Sequence, residues 1–385
     1  MRILLCNKFY YRRGGDCIYT LEVERLLKRH GHEIAVYAMQ YPENENSEWS
    51  NYWPAQMHVW DLFTRPFGSR QVIKGFSRLL QDFKPDVVHL NNIHTQLSPV
   101  LAEIAHKNGI RVIWTLHDTK LICPCYTCMR DKHWCEACFT NPRAVVKYRC
   151  MPGHLPGAVI GYYEIKKWSR DKLQRYTDLF ITPSRFMKEA MCKGGYAAEK
   201  LHVLCNFIDV EKCKDPSFQK EDYYVYLGRI NEIKGLRTLC NAASQLPYKL
   251  VVIGEGELLD ELRTCYRDAN IEFKGAMQWS EFRPILEHAR FMVLPSEWSE
   301  NNPLTIIEAQ SLGTPVLGAR IGGITELIED EISGMTFTSG DMEDLKAKII
   351  QMMHTDFQYE LLARTAQKKY SAETYYDTLM KLYHK

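Results

Sequence analysis

Short apolar runs, each followed by a stretch with helical spacing, recur along the chain in two successive series, and no other feature constrains the fold as much. The first series holds Arg2–Cys6, 33–38, Val87–Leu90, 111–116 and Leu179–Thr182. The second holds Tyr223–Leu227, Lys249–Ile253 and 291–295. Runs of this kind fill parallel strands covered on both faces. Between and after them, 17–30, 96–107, 155–176, 303–312, 341–353, 358–368 and 371–384 read as helices. The alternation predicts an α/β protein built on doubly wound parallel sheets. At 385 residues the chain is long enough for two domains, each with its own core. The boundary is expected at 206–222, where 212–222 is polar and carries Pro216.

Composition narrows the class. Hydrophobic residues at 45% and charged residues at 25% describe an ordinary globular protein, not a disordered or fibrous one. No apolar run approaches the roughly 18 residues of a membrane span, and the apolar start at 3–6 is too short for a signal peptide. A cytoplasmic location is therefore expected. Thirteen cysteines, an odd number at mostly scattered apolar positions, fit a reducing compartment better than a disulfide framework. The net charge of +2 is uneven: residues 1–210 hold 29 Lys+Arg against 20 Asp+Glu, and 211–385 hold 20 against 27. A basic first half suits phosphates or an anionic lipid surface. Nothing in it resembles a nucleic-acid module, and no Gly-Lys-Ser/Thr loop marks an ATPase.

Residues 296–327, SEWSENNPLTIIEAQSLGTPVLGARIGGITEL, follow the apolar run 291–295 as a polar loop and then a helix. Pro303 suits the first helical position, because its fixed φ fits there and its missing N–H would be unpaired anyway. The amides of Leu304 and Thr305 then face the carboxyl end of a sheet, where a diphosphate binds without further help. Glu300 in the loop and Glu308 in the helix can each accept two hydrogen bonds from adjacent hydroxyls, which suits a sugar and a ribose. After the strand at Tyr223–Leu227, Gly228 permits close approach, while Arg229 and Lys234 offer a fork and a point charge to a diphosphate.

Residues 300–316, E-N-N-P-L-T-I-I-E-A-Q-S-L-G-T-P-V, followed by G-G-I-T-E-L-I at 322–328, closely resemble the signature of retaining, nucleotide-sugar-dependent glycosyltransferases of the GT-B class, family four. The resemblance covers nearly the whole chain and implies two Rossmann-like domains facing a central cleft. It implies domains at 1–205, with the final helix 370–385 returning to it, and at 206–369. It places Glu300 near the donor sugar and Glu308 on the ribose, makes Arg229 and Lys234 the phosphate clamp, and sets His117, which follows the strand 111–116, close to the reacting sugar. Donor contacts are implied at Gly14, Gly15, Gly228, Gly254, Gly275, Met277, Asn302, Leu304 and Thr305. The implied activity is hexosyl transfer from a UDP- or GDP-linked sugar to an acceptor hydroxyl with retention, in surface polysaccharide or lipopolysaccharide synthesis. No catalytic cofactor is implied, and the acceptor is a glycan or a lipid-linked one. A different reading is a noncatalytic nucleotide or lipid-carrier binding protein of the same fold; the intact Glu300, Glu308, Arg229, Lys234 and His117 argue against it. A zinc-stapled nucleic-acid binder is opposed by the acidic second half.

Two features stand apart from the signature. An insert at 118–150 carries Cys125-x-x-Cys128 and Cys135-x-x-Cys138, the spacing that lets paired thiolates reach one Zn²⁺. Some bacterial members of the family instead match at Cys123, Cys135, Cys138 and Cys150. Either set closes the metal's coordination, so zinc would be structural rather than catalytic. The stretch 155–176 interleaves Tyr162, Tyr163 and Trp168 with Lys166, Lys167, Arg170, Lys172 and Arg175. That composition suits either a solvated basic helix or an anionic membrane face, which would hold the protein peripherally on the inner side of the membrane.

Overall fold

In the computed structural model, which describes residues 1–56, 65–131 and 133–385, the apolar runs become the strands of two all-parallel sheets. The chain divides into two compact units, Met1–Cys205 with Tyr376–Lys385, and Asn206–Tyr375.

The first unit begins β1 (Arg2–Cys6), α1 (Gly15–Arg29), β2 (Glu33–Tyr37), α2 (Arg70–Phe83), β3 (Val87–Leu90), α3 (Val100–Lys107) and β4 (Arg111–Thr115). The cysteine-bearing insert follows with β5 (Met129–Arg130), β6 (His133–Trp134), α4 (Ala137–Thr140) and α5 (Ala144–Tyr148); its Lys132 lies outside the described residues. Then come α6 (His154–Lys167), α7 (Arg170–Tyr176), β7 (Leu179–Thr182), α8 (Arg185–Lys193) and β8 (Leu201–Val203). The sheet order is β2-β1-β3-β4-β7-β8. Ile3, Leu4, Leu5 and Cys6 are wholly buried, because helices cover both faces of the sheet, and each such aliphatic side chain stabilises the unit by roughly 1.5–3 kcal/mol.

The second unit runs β9 (Tyr223–Leu227), α9 (Leu236–Ala243), β10 (Lys249–Ile253), α10 (Leu259–Cys265), β11 (Ile271–Gly275), α11 (Trp279–His288), β12 (Met292–Leu294), α12 (Leu304–Ser311), β13 (Val316–Ala319), β14 (Gly334–Phe337), α13 (Met342–His354) and α14 (Tyr359–Lys369). Its order is β11-β10-β9-β12-β13-β14. The last helix, α15 (Ala372–His384), ends in the first unit, where the Tyr383 hydroxyl lies 2.7 Å from His89 Nδ1 and Arg111 donates to Leu382 O at 3.1 Å.

The order of strands reverses between β1 and β3 in one sheet and between β9 and β12 in the other. At such a reversal the loops at the strands' carboxyl ends diverge and leave a crevice, which is where open α/β sheets hold their ligands.

Three helices depart from the sequence reading. The stretch 155–176 is not one helix: Trp168 leaves helical geometry (φ −106, ψ 65) and buries its indole, whose N–H donates to Pro66 O, and α7 restarts after an extended Ser169. α3 starts only at Val100, because Ser98 is held at φ 69 just before it. Pro303 is the extended N-cap of α12 rather than its first residue.

Candidate active site

In the second unit the switch between β9 and β12 collects the charged groups. The turn after β9 presents Arg229, exposed, with its carbonyl fixed by a 2.6 Å bond from the Tyr226 hydroxyl. Lys234 closes the short 3₁₀ turn Glu232–Lys234, and its ammonium donates to Glu300 Oε1 in the loop after β12. Ser296 Oγ, wholly buried, donates to the same carboxylate oxygen at 2.8 Å. Glu300 is thus oriented twice, from two strands that are neighbours in the sheet but far apart in sequence. Its carbonyl accepts from Gly323 N at 2.7 Å. Gly322 beside it has φ 58, and a Cβ there would lie 2.3 Å from Glu300 O, so only glycine fits. The second half of the motif therefore braces the first.

α12 begins in the same loop. Leu304 and Thr305 are half-buried, and the N-cap Pro303 offers no side chain to their amides, so that among the described residues these donors stay available to an anion. Glu308 is half-buried one turn further on, and its charge reaches Cys213, whose thiol is pushed up to about 12, chiefly by burial. Asn302 is buried in the frame: its Oδ1 accepts from Asn206 N at 3.0 Å, and its carbonyl accepts from Asn206 Nδ2 at 2.9 Å. Gly228, Gly254 and Gly275 stand at or just beyond the carboxyl ends of β9, β10 and β11, laced by Gly228 N to Ile253 O at 3.1 Å and Gly254 N to Gly275 O at 2.8 Å. Gly254 has φ 143, and a Cβ on it would meet Gly228 O at 1.8 Å. Met277 is half-buried just after β11. Two cations, a braced carboxylate and free helix amides at a sheet switch point can hold a diphosphate with a hydroxyl-rich group beside it.

The first unit has its own polar cluster at the ends of β1, β3 and β4. His117 Nε2 lies 3.0 Å from Asn91 Oδ1, and the Tyr19 ring meets the imidazole edge-on at 4.9 Å. Burial, reinforced by Lys8 and opposed by Asp16, lowers the His117 pKa to about 4. The ring is therefore neutral at physiological pH, and an Nε2–H donated to Asn91 leaves Nδ1 as an acceptor. Asn92 ties the turn together: its carbonyl accepts from Lys8 N at 3.2 Å, its Nδ2 donates to Asp16 Oδ2 at 3.1 Å, and its backbone N–H donates to Asn7 Oδ1 at 3.1 Å. His94 stacks on Trp114, with Nε2 4.0 Å from Asp118 Oδ1. Asn91 Nδ2 and His94 Nδ1 are buried with no partner among the described residues. Gly14 is the extended N-cap of α1 and Gly15 its first residue, where a Cβ would meet nothing within 4 Å. Of this cluster only His117, Gly14 and Gly15 were expected from sequence. The available signal was Asn91-Asn92 directly after the apolar run Val87–Leu90, and Lys8 just after β1.

The insert brings its thiols into one neighbourhood. Cys138 is pushed up to about 12, by burial first and then by the proximity of Cys123, Cys150, Cys135 and Cys125. Cys123 and Cys128 share a hydrogen bond, Cys128 Sγ also donates to Thr119 Oγ1 at 3.2 Å, and Cys125 Sγ donates to Cys150 O at 2.9 Å. Among the described residues no three His, Cys, Asp or Glu side chains stand in a position to hold a metal ion.

The model of Glycosyltransferase Family 4 matches residues 13–212, more than half of the chain. The chain belongs to that family. The model of Glycosyl transferases group 1 matches 208–372, so the two together span both units of this family 4 glycosyltransferase. It is 27% identical over 306 residues to the Arabidopsis thaliana sulfoquinovosyl transferase SQD2, covering 74% of this chain and 53% of that protein. It is 27% identical over 212 residues to the Escherichia coli UDP-Gal:alpha-D-GlcNAc-diphosphoundecaprenol alpha-1,3-galactosyltransferase, covering 49% and 54%. The chain thus spans about half the length of these curated relatives. The crystal structure of Anabaena Alr3699/HepE in complex with UDP-glucose superposes with a TM-score of 0.65 at 17% identity, over 99% of each chain, and shares the fold.

Proposed function

We propose that this glycosyltransferase moves a hexosyl group from a nucleoside diphosphate sugar, UDP- or GDP-linked, to the hydroxyl of a glycan or lipid-linked acceptor, with retention at the anomeric carbon. The single observation that carries the reading is the Lys234–Glu300–Ser296 constellation beside the N-terminus of α12, at the switch point of the second sheet. In the transfer the anomeric C–O bond to the β-phosphate breaks, a bond to the acceptor oxygen forms, and the acceptor's proton passes to the departing diphosphate. Charge grows on that diphosphate, and Arg229, Lys234 and the amides of Leu304 and Thr305 are the groups that stabilise it. Glu300 faces the positive character that develops on the sugar, while Glu308 takes the ribose hydroxyls. Neither role needs a catalytic metal. The galactosyltransferase relative, whose name gives a UDP-sugar and a diphosphoundecaprenol acceptor, supports synthesis of surface polysaccharide or lipopolysaccharide on a lipid carrier. A cytoplasmic place, peripheral on the inner face of the membrane, goes with such an acceptor.

Steady-state kinetics of two variants test the assignment. Ribose contacts are similar in ground and transition states, so Glu308→Gln should mainly raise KM for the donor. Glu300→Gln should lower kcat with less effect on donor binding. Wild-type kcat in Glu300→Gln would overturn the role given to this carboxylate.

A further inference from the structure

The face of α6 that points away from the protein is the least explained surface of the first unit. Ala158, Gly161 and Glu164 point inward; Glu164 pairs with the buried Lys120 at 3.1 Å, and a Cβ on Gly161 would come within 3.2 Å of Pro124 Cβ. The opposite face carries Leu155, Val159 and Tyr163, which are 43%, 37% and 61% exposed. Their spacing of four residues sets them in one stripe, and Lys166, also exposed, completes it at the helix's last turn. Phe67, 53% exposed, adjoins this helix, with the Lys167 ammonium 5.6 Å from its ring centre. Large apolar side chains gathered on one helix face of a water-soluble surface mark a contact site, whereas single ones do not.

The charge around the stripe identifies what covers it. Residues 143–175 hold eight Lys+Arg against two acids, Glu164 and Asp171, and Glu164 is already paired inside. A second copy of this chain would bring the same positive charge against it in a two-fold contact, which is repulsive. Lipid headgroups of negative charge complement it, and a bilayer also accepts the apolar stripe. We propose that the outer face of α6, with Phe67, docks on an anionic lipid bilayer, Leu155, Val159 and Tyr163 entering the headgroup boundary and Lys166 and Lys167 engaging the phosphates. The helix lies in the plane of the interface, since its buried face is committed to the insert. A lipid-linked acceptor makes this docking useful, but the docking itself rests on the surface alone.

Co-sedimentation of the full chain with vesicles of phosphatidylcholine and phosphatidylglycerol, without any sugar nucleotide, tests it. Because no turnover is read, failure here would leave the transfer reading standing. The wild type should pellet with these vesicles, release with added salt, and stay in solution with phosphatidylcholine alone. Val159→Asp with Tyr163→Asp should weaken partitioning by about tenfold or more, and Lys166→Gln or Lys167→Gln by about fivefold each. Ile350→Asp and Leu361→Asp, exposed apolar positions of the second unit, should change nothing. Val159, Tyr163, Lys166, Ile350 and Leu361 are exposed and Lys167 is half-buried, and unchanged thermal melts establish that each variant folds. No pelleting by the wild type, equal pelleting on neutral vesicles, wild-type partitioning by the α6 variants, or a dimer in gel filtration that those variants abolish would each overturn the proposal.

Discussion

His89 shows how single side chains in the first unit set a condition on the whole. It is wholly buried and bonded at both ring nitrogens, Nδ1 to the Tyr383 hydroxyl and Nε2 to Thr115 Oγ1, each at 2.7 Å. Burial lowers its pKa to about 3, that of His117 to about 4, and that of His94 well below the usual value. In the unfolded chain all three take up protons near pH 6.5, as free histidine does. Between that point and their folded values the unfolded state binds more protons, so stability rises with pH and is lost as pH falls below about 6.5. For His89 alone the loss is about 2 kcal/mol at about pH 5. Thermal melts between about pH 7 and about pH 5 should show a steady fall in Tm; a flat Tm across that window would mean these rings are not held neutral in the fold.

At the scale of elements, most of the strands were legible because burial on both faces leaves an unbroken apolar run, as at 3–6 in β1. The 296–327 motif was legible because one local segment carries strand end, loop, N-cap and helix. What was not legible depends on contacts distant in sequence. Asn92 is held by Asp16 and Asn7, 76 and 85 positions away, and no local pattern announces those partners. The break between α6 and α7 likewise arises from Trp168 reaching Pro66, 102 positions back. The insert is the element where spacing and geometry diverge most. Its cysteine spacing is the ground on which a structural zinc is proposed, and among the described residues no group of three ligands is formed. If zinc organises this loop, purified protein should carry about one Zn²⁺ by elemental analysis, and chelation should expose its thiols to labelling. Metal-free protein with the same thiol reactivity before and after chelation would remove zinc from the account.

Across the whole molecule, two doubly wound units each bring polar groups to the carboxyl ends of their strands, a neutral histidine cluster in one and a cation, carboxylate and helix-amide site in the other. In the proposed function the second of these holds and releases a nucleoside diphosphate. The most direct measurement is the release of free nucleoside diphosphate from a panel of UDP- and GDP-linked hexoses with lipid-linked glycan acceptors, for the wild type and for Lys234→Ala. Lys234 lies in a surface turn, so its removal should leave the fold intact while taking away one group that stabilises the leaving diphosphate. The predicted result is release from one class of donor, slowed about a hundredfold in Lys234→Ala. No release from any donor, or release by Lys234→Ala at the wild-type rate, would contradict the account.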